Sequence, residues 1–284
     1  MLKNIVVTNP KKLARIKQKI AKGGADKLHI LSDFDRTLTK AFVRGKETPS
    51  LLSILRSGNF LTADYTRKAN ALFEKYHPIE IDQNIPLAKR KKEMQKWWTT
   101  HFKLLIKTGL KLKDIERVVN SGKIQFRKGS LQFFDLLYRL KIPLVIMSAS
   151  GLGSQSISMY LKNKKRLYPN IYIISNSLKW NQVGKILGVK RPIIHSLNKD
   201  ETMVKNFPVY KIIKKRENVI LLGDNLSDIG MIKGFKYDNL IKIGFLNKNI
   251  KENLKSYHKN FDIIITKDSE MTSVNKLLKE VVAY

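Results

Sequence analysis

Two patterns of apolar residues alternate along this chain. In the first, short unbroken runs stand between polar or glycine-containing stretches: KLHILS (27–32), IPLVIMS (142–148), NIYIIS (170–175), NVILLG (218–223), NLIKIG (239–244) and FDIIIT (261–266). Runs of this length, rich in Ile, Val and Leu, predict strands buried on both faces of a parallel sheet. Helices fit the intervals, as in SLQFFDLLYRL (130–140), SDIGMIKG (227–234) and EMTSVNKLLKEVV (270–282). In the second pattern, apolar residues recur every three or four positions, the spacing of a helix face. It occupies residues 61–120 through LTADYTRKANALFEKY, LAKRKKEMQKWWTTHFKLLIK and LKLKDIERVVN, with Thr62 or Asp64 as a helix cap and no convincing strand between. Ahead of the first strand, Asn9-Pro10 starts a basic helix that runs to Lys22, where Gly23-Gly24 stops it. LKWNQVGKIL (178–187) reads as a hairpin attached to the sheet. The order of elements predicts an α/β protein: a Rossmann-like parallel-sheet core with helices on both faces, residues 1–42 and 128–284, interrupted by an all-helical cap domain over 43–127.

Composition narrows the classes open to such a fold. The 284 residues contain no cysteine, which excludes disulfides and thiolate metal sites and allows a reducing compartment. No apolar run approaches the ~18–20 residues of a membrane span. The opening MLKNIVVTNPKKLARIKQKI has no compact apolar segment of the secretory kind. A cytoplasmic protein without a membrane partner is expected, a monomer rather than an obligate oligomer. Lys and Arg number 55 against 23 Asp and Glu, a formal charge of +32. The lysines are spread along the whole chain rather than gathered in a tail or a DNA-binding module. They favour attraction of small phosphorylated substrates over recognition of a specific nucleic acid.

In open α/β sheets ligands bind beyond the carboxyl ends of the strands, and three of the expected strands finish there in Asp33, Ser148 and Asp224. Successive residues of an extended chain point to opposite faces, so Asp33 and Asp35 share one side. Two bare carboxylates there would repel, and one would keep its proton. A divalent cation removes the conflict, and magnesium, which takes hard oxygen ligands and keeps several waters, suits a phosphate substrate. GDNLSD (223–228) adds Asp224 as a direct ligand and Asp228 as support behind it. Gly223 is expected to let the backbone turn tightly before them.

DFDRT (33–37), a serine ending an apolar strand, a later lysine and GDNLSD resemble the four ordered motifs of the haloacid-dehalogenase-like phosphohydrolases. KGGADKL (22–28), YHPIEID (76–82), EMQKWW (93–98), VILLGD (219–224), LIKIGFLN (240–247) and SYHKNFDIII (256–265) resemble the cytosolic pyrimidine 5′-nucleotidase family, nucleotidase type III, from residue 8 to the end of the chain. The resemblance implies hydrolysis of nucleoside 5′-monophosphates, such as CMP or UMP and also 7-methylguanosine monophosphate, with some capacity for phosphotransfer. Asp33 would be the nucleophile that forms an aspartyl-phosphate, and Asp35 the general acid and base. Magnesium would be held by Asp33, the backbone carbonyl of Asp35, and Asp224. Ser148 and the amide of Ala149 would bind the phosphoryl group, and Lys199 would oppose its charge, with Lys185 and Lys190 as rival lysines. In the cap, Glu80 would read the base and Trp97, or Trp98 in the other register, would stack on it. His101 stands where the family often has serine, which leaves the preferred base open. Ser154, in SASGLGS, replaces an acid of the usual turn and bears on bonding around the site.

Blander and competing readings stand beside these. Glu80 could cap a helix, His101 could pack in a core, and Trp97 and Trp98 cannot both face one way on a helix. The same motifs would serve a broader phosphatase acting on phosphoserine or a sugar phosphate. The positive charge would serve a polyanion-binding protein with a vestigial site.

Overall fold

The computed structural model describes residues 4–199, 204–205, 207–233 and 236–282. Seven strands form one sheet in the order β1-β11-β10-β9-β2-β5-β6. They are β1 (Ile5–Val7), β2 (Leu28–Ser32), β5 (Leu144–Met147), β6 (Ile171–Ile174), β9 (Asn218–Gly223), β10 (Asn239–Leu246) and β11 (Ile263–Thr266). All neighbours run parallel except β1, which pairs antiparallel with β11 at the edge. The sequence reading had six of these strands and missed β1, three residues too short to show a period.

The pleat divides the strand residues between two faces. Ile30, Leu144, Ile146, Ile220 and Leu222 join one apolar cluster. It is covered by α1 (Pro10–Gly23), α6 (Ser130–Arg139), α7 (Gly153–Asn163) and the last helix, α10 (Thr272–Val282). Their neighbours Leu31, Val145, Met147, Val219 and Leu221 join a second cluster with Val204, Val209, Ile213 and Met231. Ile213 closes the short helix α8 (Tyr210–Ile213), and α9 (Ile250–Asn260) covers Leu246 and Ile264 through Tyr257. Asn9 caps α1 by accepting from the Lys12 amide at 2.9 Å, and Gly24 ends it at φ 64°, where a side chain would strain the backbone. The expected helix at SDIGMIKG is instead a 3₁₀ segment, Leu226–Ile232, wound tightly by the side chains of Asn225 and Asp228 at its start.

Between β2 and α6 the chain makes a two-residue hairpin, β3 (Phe42–Val43) with β4 (Lys46–Glu47), and then four helices. These are α2 (Leu51–Ser57), α3 (Ala63–Ile81), α4 (Leu87–Thr108) and α5 (Leu112–Val119). Thr62 caps α3. The chain leaves and re-enters along paired segments: Thr39 bridges Phe126, and the Lys40 amide donates to the Gln125 carbonyl at 2.9 Å. Leu51, Ile54, Tyr65, Phe102, Leu105 and Ile115 of the insert belong to the same apolar cluster as Ile30. The hairpin β7 (Leu178–Trp180) with β8 (Ile186–Val189) adds main-chain ties, Leu112 to Gly184 and Ile186 to Leu110, each at 2.9 Å. The insert is therefore welded to the sheet on one side. No helix among the described residues is long and apolar enough to cross a membrane.

Leu222 has no exposed surface and stands one residue before the polar end of β9. Replacing it with alanine is expected to cost ~2–5 kcal/mol of unfolding free energy in a urea titration. A loss below ~1 kcal/mol would show that this strand end is not tightly packed.

Candidate active site

Strands β9, β2 and β5 lie side by side, so their ends bring Asp224, Asp33 and Ser148 to one edge of the sheet. The amide of Asp33 donates to Leu222 O at 3.0 Å, and that of Ser148 to Ile174 O at 3.0 Å, which fixes both where the sheet stops. Asp228 turns back from the 3₁₀ segment onto this edge. One of its oxygens accepts from the amides of Asp224 (3.1 Å) and Asn225 (3.0 Å), and the other accepts from Lys199 Nζ at 2.7 Å. A Cβ on Gly223 would sit 2.6 Å from the Cβ of Asp228. This glycine makes room for the acid rather than supplying the unusual turn expected of it.

Lys199 also donates to Asp33 at 2.7 Å, so a single buried ammonium bridges two buried carboxylates. Asp33, Asp224 and Asp228 each offer an oxygen within 4.8 Å of one another. Three carboxylates and one ammonium, all ionised, leave two negative charges in excess. Burial, together with Asp228 and Asp35, pushes Asp33 up to about 7 against the pull of Lys199. Burial likewise pushes Asp35 up to about 6, with Arg36 and Lys199 opposing. Asp224 is held well above the carboxylate range by burial and by the charges of Asp33 and Asp228. For Lys199, burial works against the charge, but Asp228 and Asp33 outweigh it and hold the amine protonated. A close all-oxygen cluster with an excess of two negative charges has the chemistry of a hard divalent-cation site. Within it, Asp228 is already engaged by the lysine and two amides.

The turn that carries Asp35 is tightly tied. Arg36 has φ 60°, and its amide donates to Thr39 Oγ1 at 2.8 Å. Its guanidinium meets Glu47, which Lys248 also pairs. Beside this turn a polar cavity of about 230 Å³ reaches Asp224, with Gln83, Asn247 and Tyr257 among its walls. Lys185 is exposed on the β7–β8 hairpin against Gly109, and Lys190 is exposed beyond it, so Lys199 is the lysine gathered with the acids.

The insert meets the site region at several points, two of them through residues singled out in the sequence. Glu80, near the end of α3, accepts from Ser196 Oγ at 2.5 Å and shares a 3.0 Å contact with His77 Nδ1. Ser196 stands three residues before Lys199, so one loop touches both Glu80 and the acids. Trp98 lies over Gly151, where an added Cβ would come within 2.6 Å of its ring. It thereby reaches the loop that begins with Ser148 and Ala149. Trp97 is 7% exposed and stacks on Tyr76, with ring centroids 5.9 Å apart. His101 is 2% exposed in the interior of the insert, edge-on to Tyr65 and Trp98, and burial and then Arg56 bring it down to about 4. It stands behind Trp98, with Nε2 3.4 Å from the Tyr65 hydroxyl. The amide of Ser154 donates to Asn176 O. Sequence reasoning missed Ser196 and left Trp97 and Trp98 as alternatives without showing which reaches the Ser148 loop. A tryptophan pair on a helix face was the available signal for the latter, and nothing marked the former.

Sheet order, insert and acid cluster together define a haloacid-dehalogenase-like hydrolase. A phosphoserine phosphatase in its apo form has the same fold, with a TM-score of 0.51 at 19% identity over 88% of this chain and 98% of its own. The family model described as Pyrimidine 5′-nucleotidase (UMPH-1) matches residues 36–282. The human 7-methylguanosine phosphate-specific 5′-nucleotidase is 33% identical over 282 residues, 99% of this chain and 93% of the relative. The structure of cytosolic 5′-nucleotidase IIIB bound to cytidine superposes with a TM-score of 0.91 at 30% identity, covering 99% and 94% of the two chains. The chain belongs to the pyrimidine 5′-nucleotidase family and is a phosphohydrolase of that family.

The shift of Asp33 sets a pH dependence. An acid raised in the fold contributes stability below its unfolded pKa, and that stability is lost as pH rises through the folded value. For Asp33 the window runs from the ordinary 3.8 up to about 7. Without divalent ions the melting temperature should therefore fall between about pH 5 and about pH 8, and magnesium should raise it more at the higher pH. Equal shifts at both, or none, would contradict a cation site in the acid cluster.

Proposed function

We propose that the chain is a magnesium-dependent 5′-nucleotidase that hydrolyses nucleoside 5′-monophosphates, pyrimidine or 7-methylguanosine, to nucleoside and phosphate. The observation that carries this reading is the Lys199-bridged acid cluster at three adjacent strand ends, in a chain alike over nearly its whole length to nucleotidases. In a neighbour, cytidine occupies the bound state; here the nucleoside is assigned to the space between the insert and the strand ends. The cytosolic name of that neighbour supports a cytoplasmic setting.

Asp33 attacks phosphorus in line with the leaving 5′-oxygen, forming an aspartyl-phosphate while Asp35 delivers a proton to that oxygen. An acid pushed up to about 6 suits this duty near neutral pH. Asp35 then takes a proton from water, which attacks phosphorus and frees Asp33. Ser148 and the amide of Ala149 donate to phosphoryl oxygens, and Lys199 opposes the charge that builds on them, a contribution of ~3–4 kcal/mol for one well-placed donor. Asp33, Asp224 and the carbonyl of Asp35 would hold magnesium, which when bound offsets the excess charge and lets Asp33 ionise.

Residues 43–127 serve as the cap, excluding water from the site and reading the base. Glu80 keeps lone pairs free beyond those used by Ser196 and His77, so it can accept from a base N–H. Trp98, on the loop of Ser148, is better placed to stack than Trp97, and His101 acts by packing behind it. Base stacking of this kind contributes ~1–3 kcal/mol.

Phosphate release from a panel of monophosphates tests the reading: CMP, UMP or 7-methylguanosine monophosphate should be turned over and EDTA should stop it. Turnover of phosphoserine or sugar phosphates with none of any nucleotide would replace it by a broader phosphatase. Glu80→Ala should lower kcat/KM for the nucleotide by about tenfold or more while changing p-nitrophenyl phosphate less than about threefold. Equal losses on both would remove Glu80 from base recognition.

A further inference from the structure

Arg127 lies where the chain returns from the insert to the sheet, with 2% of its surface exposed. All five of its N–H donors are engaged. Nε donates to Thr37 O at 3.0 Å, and Nη1 to Asp268 Oδ1 and Ser269 O, both at 2.8 Å. Nη2 donates to Asn247 Oδ1 at 3.1 Å and to the carbonyl of Arg36. The guanidinium carbon stands 4.5 Å from the centroid of Phe245, which floors the site. Asp268 completes the arrangement by accepting from the amides of Ala41 (2.8 Å) and Phe42 (3.0 Å), the residues on which the chain departs for the insert. The Arg127 amide and the Ser130 hydroxyl both donate to Leu38 O, at 3.0 and 2.9 Å.

Three successive carbonyls, those of Arg36, Thr37 and Leu38, are therefore held from residues 127–130, and the next two free amides from Asp268. Asp35 is the residue immediately before this held segment. Its carbonyl leads into Arg36, whose left-handed backbone a side chain adopts only when its surroundings impose it. A planar five-donor fork fits three carbonyls, a carboxylate and an amide oxygen at once; an ammonium has three donors and no fixed plane.

We infer that Arg127, paired with Asp268, is the positioning residue of the catalytic turn. It sets the carboxyl and carbonyl of Asp35 relative to Asp33 and ties that setting to both strands that lead to the insert. This rests on the reading of Asp35 given above and deepens it. None of its five side-chain bonds goes to Asp33, Asp35, Asp224 or Lys199, so Arg127 acts through the turn.

The test compares wild type with Arg127→Lys, which keeps the cation beside Asp268 and loses the fork, and with Asp268→Asn, which keeps the shape and loses the charge. Each is checked for a cooperative melt before assay. For folded Arg127→Lys, kcat should fall by about tenfold or more with KM for the nucleotide within about threefold, as expected when a reacting group is misplaced. The Mn²⁺ dissociation constant, measured by electron paramagnetic resonance without nucleotide, should rise by about tenfold, the usual effect of disturbing what orients a metal ligand. Free guanidinium should restore part of the activity of Arg127→Ala if that variant folds. A folded Arg127→Lys with kcat within about twofold and unchanged Mn²⁺ affinity would overturn the inference. Activity lost only in proportion to folded protein, in every variant, would do the same. Wild type that neither binds Mn²⁺ nor releases phosphate from any nucleotide would instead overturn the reading of the site, and this inference with it.

Discussion

Gathering three carboxylates, two of them buried and one half-buried, around one buried ammonium is the constraint from which the rest of this molecule follows. Ion pairs taken out of water cost several kcal/mol per charge, and the cost is met only where geometry is close and remaining lone pairs are engaged. Here Lys199 joins Asp33 and Asp228 at 2.7 Å, and two amides complete Asp228. Even so the acids outnumber the amine, and burial with mutual repulsion holds Asp33 and Asp224 above the ordinary carboxylate range. Under the proposed function, a dication and a phosphoryl group would relieve that excess of negative charge.

The fold keeps these charges from relaxing apart. Adjacent parallel strands place the acids at fixed spacing, and the backbone between them is committed to the sheet. The insert is attached close after Asp33, so its two connecting segments are neighbours of the turn that carries Asp35. Glu80 and Trp98 then meet core loops that carry Lys199 and Ser148. The residues proposed to read the substrate and those proposed to handle phosphate are in this way mechanically close, although they lie far apart in the chain.

What could be read before the structure was known follows the same division. Strand runs ending in Asp33, Ser148 and Asp224 were legible because each is a local pattern and because strand ends are where α/β sheets bind ligands. Asp228 was legible through its place in GDNLSD, though the reason for Gly223 was not: it needs the side chain of Asp228 folded back onto the strand. The Arg127–Asp268 pair joins positions 141 residues apart, and Ser196–Glu80 joins positions 116 apart. One arginine or serine among many carries no mark of such a partner. Trp97 and Trp98 showed that one tryptophan must be buried without showing which, because that depends on where α4 lies against Gly151. His101 left two readings open, base contact or packing, and its burial, which the sequence does not show, favours the second.

The covalent step at residue 33 is the most direct test of the account. Enzyme mixed with its nucleotide and magnesium should be quenched within a turnover, reduced with borohydride and digested for mass spectrometry. A phosphorylated carboxyl at Asp33 would be read as homoserine at that position, and its yield should rise and decay with phosphate release. Full turnover with the peptide around residue 33 unmodified at every quench time, or reduction at another acid, would contradict the central role given to Asp33.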